Sequence, residues 1–338
     1  MFTPMYTETF LGDRIIIETE KSSNDSMFCK EHDSSLSNKK AKSGTIMEIA
    51  NKLKKLIPLS SDIPEEKIND LFQELFERYP DGEDPWGLNL EKTQKVVETL
   101  YPLYKDYFKV RLFGKENVKN KPYIVVANHS GQIAIDGLLV GLAFGLDIYP
   151  PRILRGMIER FVTNLPFLGT WTAETGAVLG DRQNCLQLLK RGESVLVFPE
   201  GVDGVAKSTP DYYKLQKFTK GFFRIALSAQ VEILPVAVIG AEETYPYVYQ
   251  AKGVAKKLGL PALPLSPSML LGPLGFLPLP SPIDIYIGKP IKPPSDLHGE
   301  EQDQDIREHI YQVENQIKKM IEEGRKNRRP FWAVKKET

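Results

Sequence analysis

Cysteine is scarce in this 338-residue chain, which has two, Cys29 and Cys185. Two cysteines cannot build the disulfide framework of a small secreted domain, and their spacing offers no pair of metal ligands. A reducing compartment is the simplest interpretation. The first residues also lack the basic start and apolar run of a secretory signal peptide, so we expect a protein of the cytoplasmic side.

An excess of charge of either sign is missing as well. Lysine plus arginine number 44, and so do aspartate plus glutamate, which gives a formal net charge of zero. This balance gives no electrostatic basis for a nucleic-acid partner. Hydrophobic residues make up 41% of the chain and charged residues 26%, a composition that suits a sizeable buried core outside the bilayer.

The chain also lacks an unbroken apolar run that could cross a bilayer as a helix. Its longest uncharged stretch, residues 258–282, is interrupted repeatedly by proline. Proline removes backbone donors and kinks helices, whereas a spanning helix needs about 20 apolar residues in helical conformation. We therefore expect no transmembrane helix, and this stretch is either a packed loop over the core or a membrane-contact segment.

Four regions follow from the sequence patterns. Residues 19–44 are rich in Ser, Asn, Asp and Lys and poor in apolar side chains, and we predict a disordered N-terminal segment over residues 1–44. Residues 45–110 carry three helical patterns, which predict a helical N-terminal region. Residues 111–300 alternate short β-branched runs with helical patterns, which predicts an α/β fold with a mainly parallel central sheet flanked by helices. Residues 301–338 predict an amphipathic helix that ends at Gly324, followed by a basic and aromatic tail.

Polar motifs follow the ends of the predicted strands, where parallel sheets form their ligand sites. The predicted strands are 123–127, 177–179, 194–198 and 232–239, and the helices between and after them are 135–144, 182–190 and 222–229. The sequence NHSGQ begins at Asn128, and Asp136 lies on the next helix. Imidazole exchanges a proton near neutral pH, and a carboxylate on its second nitrogen would fix its tautomer. His129 is thus a candidate base, although a single histidine is more often structural.

Arg182 is a candidate anion ligand, because it follows Gly180 and Asp181 into the first turn of a predicted helix. Backbone N–H groups and the helix dipole favour an anion there, and a guanidinium can bind phosphate through two hydrogen bonds. The alternative is a surface arginine beside an ordinary helix cap.

Two further motifs lie at strands. In the sequence FPEG, Glu200 at the strand tip would hold Arg182 or bind substrate hydroxyls, and Gly201 permits a tight turn; the alternative is a plain turn with a solvated glutamate. Pro235, inside an apolar strand, indicates an edge, a bulge or the lining of a tunnel.

Taken in order and spacing, these four blocks resemble the four motifs of the glycerolipid acyltransferases, which include the 1-acylglycerol-3-phosphate acyltransferases. The matching positions are His129 and Asp136 in the first motif, Gly180 and Arg182 in the second, residues 198–201 in the third and Pro235 in the fourth. Residues 111–295 are covered by the resemblance. One departure is that six residues separate His129 from Asp136 where the family usually has four; the NHSGQ form is similar to that of some bacterial-type members.

The resemblance implies transfer of a fatty acyl group from acyl-CoA or acyl carrier protein to a hydroxyl of a lysophospholipid or other glycerolipid. His129 would deprotonate that hydroxyl, Arg182 would bind an acceptor phosphate, and no metal or redox cofactor is needed. The acceptor stays open among lysophosphatidic acid, another lysophospholipid and a neutral lipid such as diacylglycerol. The alternatives are a thioesterase and a lipid-binding or regulatory protein that lost turnover through the altered His–Asp spacing.

Because such substrates live in bilayers, we expect a peripheral, membrane-associated protein. Residues 258–282 are one candidate contact, and the tail is the other, since basic groups near an anionic leaflet contribute about 1 kcal/mol each and aromatic side chains prefer the interface. The tail residues concerned are Arg325, Lys326, Arg328, Arg329, Lys335, Lys336, Phe331 and Trp332.

Overall fold

The computed structural model describes residues 63–130, 135–163, 167–246, 248–257, 263–299 and 302–329. These residues fall within one compact unit, Ser43–Thr338. The segment predicted as disordered, the first helical pattern after residue 45, and the tail from residue 330 onward lie outside the described residues.

Two helices open the described chain and form the predicted N-terminal layer. Helix α1 (Glu65–Arg78) begins directly after Pro64. Helix α2 (Leu90–Pro102) is capped by Asn89, whose side-chain oxygen accepts a backbone N–H of the first turn at 2.9 Å. It continues as one π-helical turn, Leu103–Tyr107. Both helices pack apolar side chains into the same core as the sheet.

The remaining helices lie between the strands or after them. They are α3 (Ile135–Leu146), α4 (Arg160–Thr163), α5 (Leu168–Glu174), α6 (Arg182–Lys190), α7 (Gly201–Val205), α8 (Gly221–Ala229), α9 (Lys252–Lys257) and α10 (Arg307–Lys326).

The central sheet has seven strands in the order β1-β9-β6-β2-β5-β3-β4. Its strands are β1 (Arg111–Phe113), β2 (Ile124–Ala127), β3 (Arg155–Ile158), β4 (Val178–Leu179), β5 (Val195–Val197), β6 (Ile233–Ile239) and β9 (Asp284–Ile287). Strands β7 (Tyr249–Gln250) and β8 (Pro264–Leu265) form a separate antiparallel pair. Every pairing in the large sheet is parallel except that of β6 with β9. The predicted mainly parallel sheet flanked by helices is therefore confirmed.

Alternate residues of β2 enter two different cores, because successive side chains of a strand point to opposite faces. Val125 and Ala127 lie in the core formed with α1, α2 and α3. Ile124 and Val126 lie in the core formed with α6, α8 and α10. With both faces covered, the strand needs a continuous apolar run, which is the pattern observed.

Pro235 lies in a central strand, so its interpretation as an edge residue is wrong. The carbonyl of Pro235 accepts a hydrogen bond from the β9 side at 2.8 Å, and its nitrogen, which has no hydrogen, faces the same way. Val236 pairs with Ile287 in the antiparallel ladder. Three residues earlier, Ile233 pairs with Ile291, one residue further than that register requires. The register slip beside Pro235 is the bulge that a missing donor favours.

Gly324 does not end the C-terminal helix, contrary to the sequence prediction. Helix α10 runs through it to Lys326, and Gly324 is buried against β6. A Cβ atom at this position would lie 2.4 Å from Ile239 Cγ1 and 3.0 Å from the Tyr286 ring. The glycine therefore serves close helix–sheet packing and not termination.

Within the described ranges, no helix has the length and apolarity required to traverse a bilayer. The uncharged stretch 258–282, described from residue 263, contributes strand β8 and a 3₁₀ helix, Pro267–Phe276. Leu270 on that helix is 91% exposed, so this stretch does not wholly pack over the core.

Candidate functional site

An asparagine side chain fixes the chain where β2 ends. Asn128 Oδ1 accepts the backbone N–H of Val238 at 2.8 Å, and its Nδ2 donates to the Val238 carbonyl at 3.1 Å. Both groups belong to the neighbouring strand β6 and are buried. The side chain thus continues the ladder while the backbone turns away at His129.

His129 and Asp136 are in direct contact, in spite of the six-residue spacing. Nδ1 of His129 lies 2.8 Å from Asp136 Oδ2, which also accepts the Ser130 N–H at 2.7 Å. The other oxygen accepts the Gly137 N–H at 2.8 Å. In a neutral imidazole with its proton on Nδ1, facing this carboxylate, the lone pair would lie on Nε2. The Asp136 side chain is fully buried and the His129 side chain is 11% exposed, so the imidazole is the accessible member.

The imidazole is also held across its face. Phe198, the first residue after β5, stacks on the His129 ring with centroids 4.1 Å apart and planes 19° from parallel. The ring rotation of His129 is therefore limited by one packed aromatic ring in addition to the Asp136 contact.

Glu200 is buried and holds the backbone around His129. Its Oε1 accepts the His129 N–H at 2.8 Å, and its Oε2 accepts the Gln216 N–H at 2.6 Å and lies 2.9 Å from Lys207 Nζ. The predicted contact with Arg182 is not formed, because β3 separates β5 from β4 in the sheet. Glu200 is likewise not the solvated turn residue of the alternative interpretation.

Lys207 is a site residue that the sequence motifs did not reveal. Its ammonium is buried and donates to the His129 carbonyl at 3.0 Å. It also lies 3.4 Å from Glu242 Oε1. The sequence holds a weak signal, a lysine six residues after Gly201 in a segment with two Gly-Val pairs, but nothing there indicates burial.

Two glycines after Glu200 have different reasons for being glycine. Gly201 has φ +56°, a backbone conformation that favours glycine, and a Cβ there would meet no atom within 4 Å. At Gly204 a Cβ would lie 2.7 Å from Glu200 Cβ and 2.8 Å from His129 Cβ. The second glycine lets α7 approach His129 closely.

Glu242 shares Lys207 with Glu200 and is nearly as deeply buried. Burial raises the pKa of Glu242 to about 7, against the opposing effect of the Lys207 ammonium and of the Tyr213 N–H that it accepts. Of the two carboxylates that contact Lys207, Glu242 is therefore the one whose raised pKa lies near neutral pH.

Arg182 lies at the predicted helix start but on another part of the sheet edge. Asp181 caps α6 by accepting the Asn184 N–H at 2.8 Å, and Gly180 joins β4 to it. Arg182 is exposed and donates to Ser228 Oγ on α8 at 3.0 Å. Three strand spacings separate β4 from β2, a distance of about 14 Å. A ligand would have to extend along the sheet edge to contact both Arg182 and His129.

Two basic residues predicted for membrane binding are engaged with the protein. Arg328 forms two hydrogen bonds with the Glu243 carboxylate, at 2.8 and 2.6 Å. Arg329 donates to the buried Asp284 at 2.7 Å. Because both guanidinium groups are paired within the protein, they are not available to bind a bilayer. The same contacts attach the end of α10 to the rest of the fold.

The arrangement defines a class of site. A histidine whose Nδ1 proton is held by a buried carboxylate, at the carboxyl edge of a parallel sheet, can accept a proton at Nε2 from a hydroxyl or water. In the described part of the chain, no three His, Cys, Asp or Glu side chains are grouped as metal ligands. This geometry is suited to general-base chemistry on a hydroxyl or water.

Comparison with known proteins agrees with this class. Residues 109–239 match the family model described as Acyltransferase. An uncharacterised protein of Mycobacterium tuberculosis is 35% identical over 212 residues, which are 62% of this chain and 59% of that protein. A 1-acyl-sn-glycerol-3-phosphate acyltransferase of Saccharomyces cerevisiae is 31% identical over 140 residues, 38% of this chain and 42% of that protein. The crystal structure of the 1-acyl-sn-glycerophosphate acyltransferase PlsC from Thermotoga maritima superimposes with a TM-score of 0.46 at 19% identity, covering 84% of this chain and 97% of that chain.

The match to the Acyltransferase family model extends over residues 109–239, and the yeast relative over 38% of this chain. The chain spans 59% of the length of the mycobacterial relative and 42% of that of the yeast relative.

Proposed function

We propose that the protein transfers a fatty acyl group from a thioester, acyl-CoA or acyl carrier protein, to a hydroxyl of a lysophospholipid or other glycerolipid. The observation that carries this proposal is the 2.8 Å contact between His129 Nδ1 and the buried Asp136 carboxylate. It orients the imidazole as a base, and the match of residues 109–239 to the Acyltransferase family model supports the class of reaction. The yeast relative's name supports an acceptor of the 1-acyl-glycerol-3-phosphate type.

In the proposed reaction, His129 Nε2 takes the proton of the acceptor hydroxyl as its oxygen attacks the thioester carbonyl. Collapse of the tetrahedral intermediate breaks the C–S bond, and the imidazolium returns the proton to the departing thiolate. Asp136 stabilises the imidazolium between these steps. General-base assistance of this kind contributes about 10²–10⁴-fold, and alignment of the two substrates contributes much of the remainder.

Arg182 is the proposed ligand of an acceptor phosphate. Its position at the start of α6 supports this role, because helix N-termini attract anions. A charge-assisted contact contributes about 1.5–3 kcal/mol, so Arg182→Ala should raise KM for a phosphorylated acceptor by tens of fold. The matched variant Ser228→Ala removes the neighbouring hydroxyl and should leave that KM within about threefold. If Arg182→Ala changes nothing while phosphorylated acceptors are used, the role is wrong.

The proposal needs no metal or redox cofactor, and it places the protein at a membrane surface on the cytoplasmic side without a spanning helix. Both substrates contain long acyl chains, so access from a lipid surface fits the reaction. The exposed Leu270 supports such a contact.

The decisive experiment is incubation of purified protein with labelled long-chain acyl-CoA or acyl carrier protein and a panel of acceptors. The panel comprises lysophosphatidic acid, other lysophospholipids and diacylglycerol, and His129→Gln is the control. Labelled acylated lipid that is absent with His129→Gln supports the proposal. Labelled free acid alone indicates a thioesterase. Lipid binding with neither product indicates a binding protein of the same fold and overturns the proposal.

A further inference from the structure

The peptide group of His129 is held from both sides by one ion pair. Glu200 Oε1 accepts the His129 N–H at 2.8 Å, and Lys207 Nζ donates to the His129 carbonyl at 3.0 Å. Lys207 and Glu200 are themselves 2.9 Å apart, which closes a ring of hydrogen bonds around one residue. The four recognised sequence motifs contain Glu200 but not Lys207.

The Lys207 ammonium is well matched to this place. It has three N–H donors, and acceptors around it in the described part of the chain include the His129 carbonyl, Glu200 Oε2 and Glu242 Oε1, at 3.0, 2.9 and 3.4 Å. Its side chain is 3% exposed, and those of Glu200 and Glu242 are 0% and 1% exposed. Burial of a charged amine is costly unless it is paired and hydrogen-bonded. A neutral donor would be enough to form a hydrogen bond with the His129 carbonyl. The burial of a charged ammonium therefore indicates a role in addition to packing.

Three separate chain segments converge on this ammonium. His129 follows β2, Glu200 precedes α7, and Glu242 follows β6. Lys207 itself lies just after α7, the short helix whose Gly204 passes beside His129 Cβ. The cation therefore ties the backbone of the catalytic histidine to the ends of the two strands that flank β2.

We propose that Lys207 is a positioning residue for His129. By holding the His129 carbonyl while Glu200 holds its N–H, it sets the orientation from which the imidazole reaches Asp136. Lys207 is not a substrate ligand in this proposal and acts only through His129. The proposal rests on the proposed function for its kinetic consequence, but its geometric consequence is measurable without any substrate.

The test uses the low-field proton resonance of a hydrogen-bonded imidazole N–H in the full-length protein, assigned to His129 by its loss in His129→Gln. In Lys207→Met, this resonance should disappear or shift markedly. In acyl transfer from long-chain acyl-CoA to lysophosphatidic acid, kcat should fall about 10–100-fold with KM within about twofold. Lys207→Arg, which retains a donor and the charge, should partly restore both the His129 resonance and kcat.

The matched control is another buried ion pair, Arg155 with Asp84, at the amino end of β3 and away from the carboxyl edge. Arg155→Met should lower the melting temperature comparably but leave the His129 resonance and kcat unchanged. If Lys207→Met does not fold, the double variant Lys207→Met with Glu242→Gln removes the carboxylate that has lost its partner and still withdraws the donor from His129.

An unchanged His129 resonance in folded Lys207→Met, or in the double variant, overturns the proposal. So does a loss of resonance in Arg155→Met of the same size, because Lys207 would then act only through general stability. If the resonance behaves as expected and the wild-type protein acylates no acceptor, the proposed function fails and the positioning role of Lys207 stands.

Discussion

At the scale of single residues, the space around His129 is the sharpest constraint. A Cβ atom on Gly204 would lie 2.7 Å from Glu200 Cβ and 2.8 Å from His129 Cβ, well inside normal contact. Gly204→Ala should therefore displace His129 and lower kcat for acyl transfer by at least about tenfold, since small misplacements of a catalytic group are costly. Gly221→Ala is the control, because a Cβ there meets nothing within 4 Å. Equal kcat values for the two variants would show that the segment around Gly204 moves to accommodate the added methyl group without an effect on catalysis.

A second residue-scale prediction concerns pH. Burial raises the pKa of Glu242 from 4.5 to about 7, so in this window the folded protein keeps a proton that the unfolded chain has released. Stability should therefore fall as pH rises from about 5 to 8, because the folded state binds more protons than the unfolded state.

Glu242→Gln removes this titration. We expect the free energy of unfolding of the variant, measured in urea and taken relative to that of the wild type, to increase by at least about 1 kcal/mol between pH 5 and pH 8. A difference between the two proteins that is independent of pH would contradict the raised pKa. A difference that runs in the opposite direction would mean that Lys207 outweighs burial.

The sequence identified His129 and Asp136 because they lie at a strand end and share one short motif. It did not identify Lys207, because a lysine's burial depends on carboxylates from distant segments that no local pattern connects. It also placed Arg182 correctly at a helix start, but the contact with Glu200, one of the two roles considered for that glutamate, is not formed. Neighbouring strands in the chain are not always neighbours in the sheet, and here β3 intervenes.

At the scale of secondary-structure elements, helix α10 tests how closely a helix packs on the sheet. Gly324→Ala would improve intrinsic helix propensity by about 1 kcal/mol, but its Cβ would lie 2.4 Å from Ile239 Cγ1. Overpacking typically costs about 1–3 kcal/mol, so we expect a net loss of stability in thermal unfolding.

The same substitution at Gly141, inside α3, meets no atom within 4 Å and should be stabilising. Thermal unfolding of the two variants side by side separates propensity from packing. Gly324→Ala as stable as Gly141→Ala would mean that α10 can move away from β6 at little cost.

Gly324 is an example of a feature of secondary structure that the sequence alone did not predict. Strands β2, β5 and β6 were predicted because their runs are rich in β-branched residues and buried on both faces. Strands β1 and β3 were missed because their sequences, RLF and RGMI, are short and weakly patterned. Gly324 has the appearance of a stop signal in sequence, and only the position of β6 shows that it serves contact.

At the scale of the whole molecule, one surface segment has the composition of a lipid contact. Residues 244–283 contain three lysines and no acidic residue. They follow the carboxyl end of β6 and precede the antiparallel β9, so they lie at the same edge of the sheet as His129. Among the side chains of this segment that the structure describes, the exposed large apolar ones are those of Tyr249, Val254, Leu265, Leu270 and Leu279.

We expect Leu265→Asp with Leu270→Asp to weaken binding to anionic phospholipid vesicles at both low and high salt, because the lost contact is apolar. Tyr311→Asp, which alters an exposed aromatic residue on α10 outside this segment, is the matched control. A chain ending at Gly324 tests the tail, whose contribution should weaken with salt. Its loss of Arg328 and Arg329 also removes contacts with Glu243 and Asp284, so unfolding must be measured alongside sedimentation. Equal sedimentation of wild type and the Leu265 and Leu270 variant would exclude this segment as a membrane contact.

The amide of Val238 offers a view of the catalytic edge from within the sheet. Its hydrogen bond is made to the side chain of Asn128 and not to a neighbouring backbone carbonyl. Deuterium exchange at Val238 is therefore governed by the residue that immediately precedes His129, whereas exchange elsewhere in β6 reports on opening of the strands themselves. A ligand that orders the turn at His129 would slow deuterium exchange at the Val238 amide without contacting it. This amide is therefore an internal probe of ligand binding at His129.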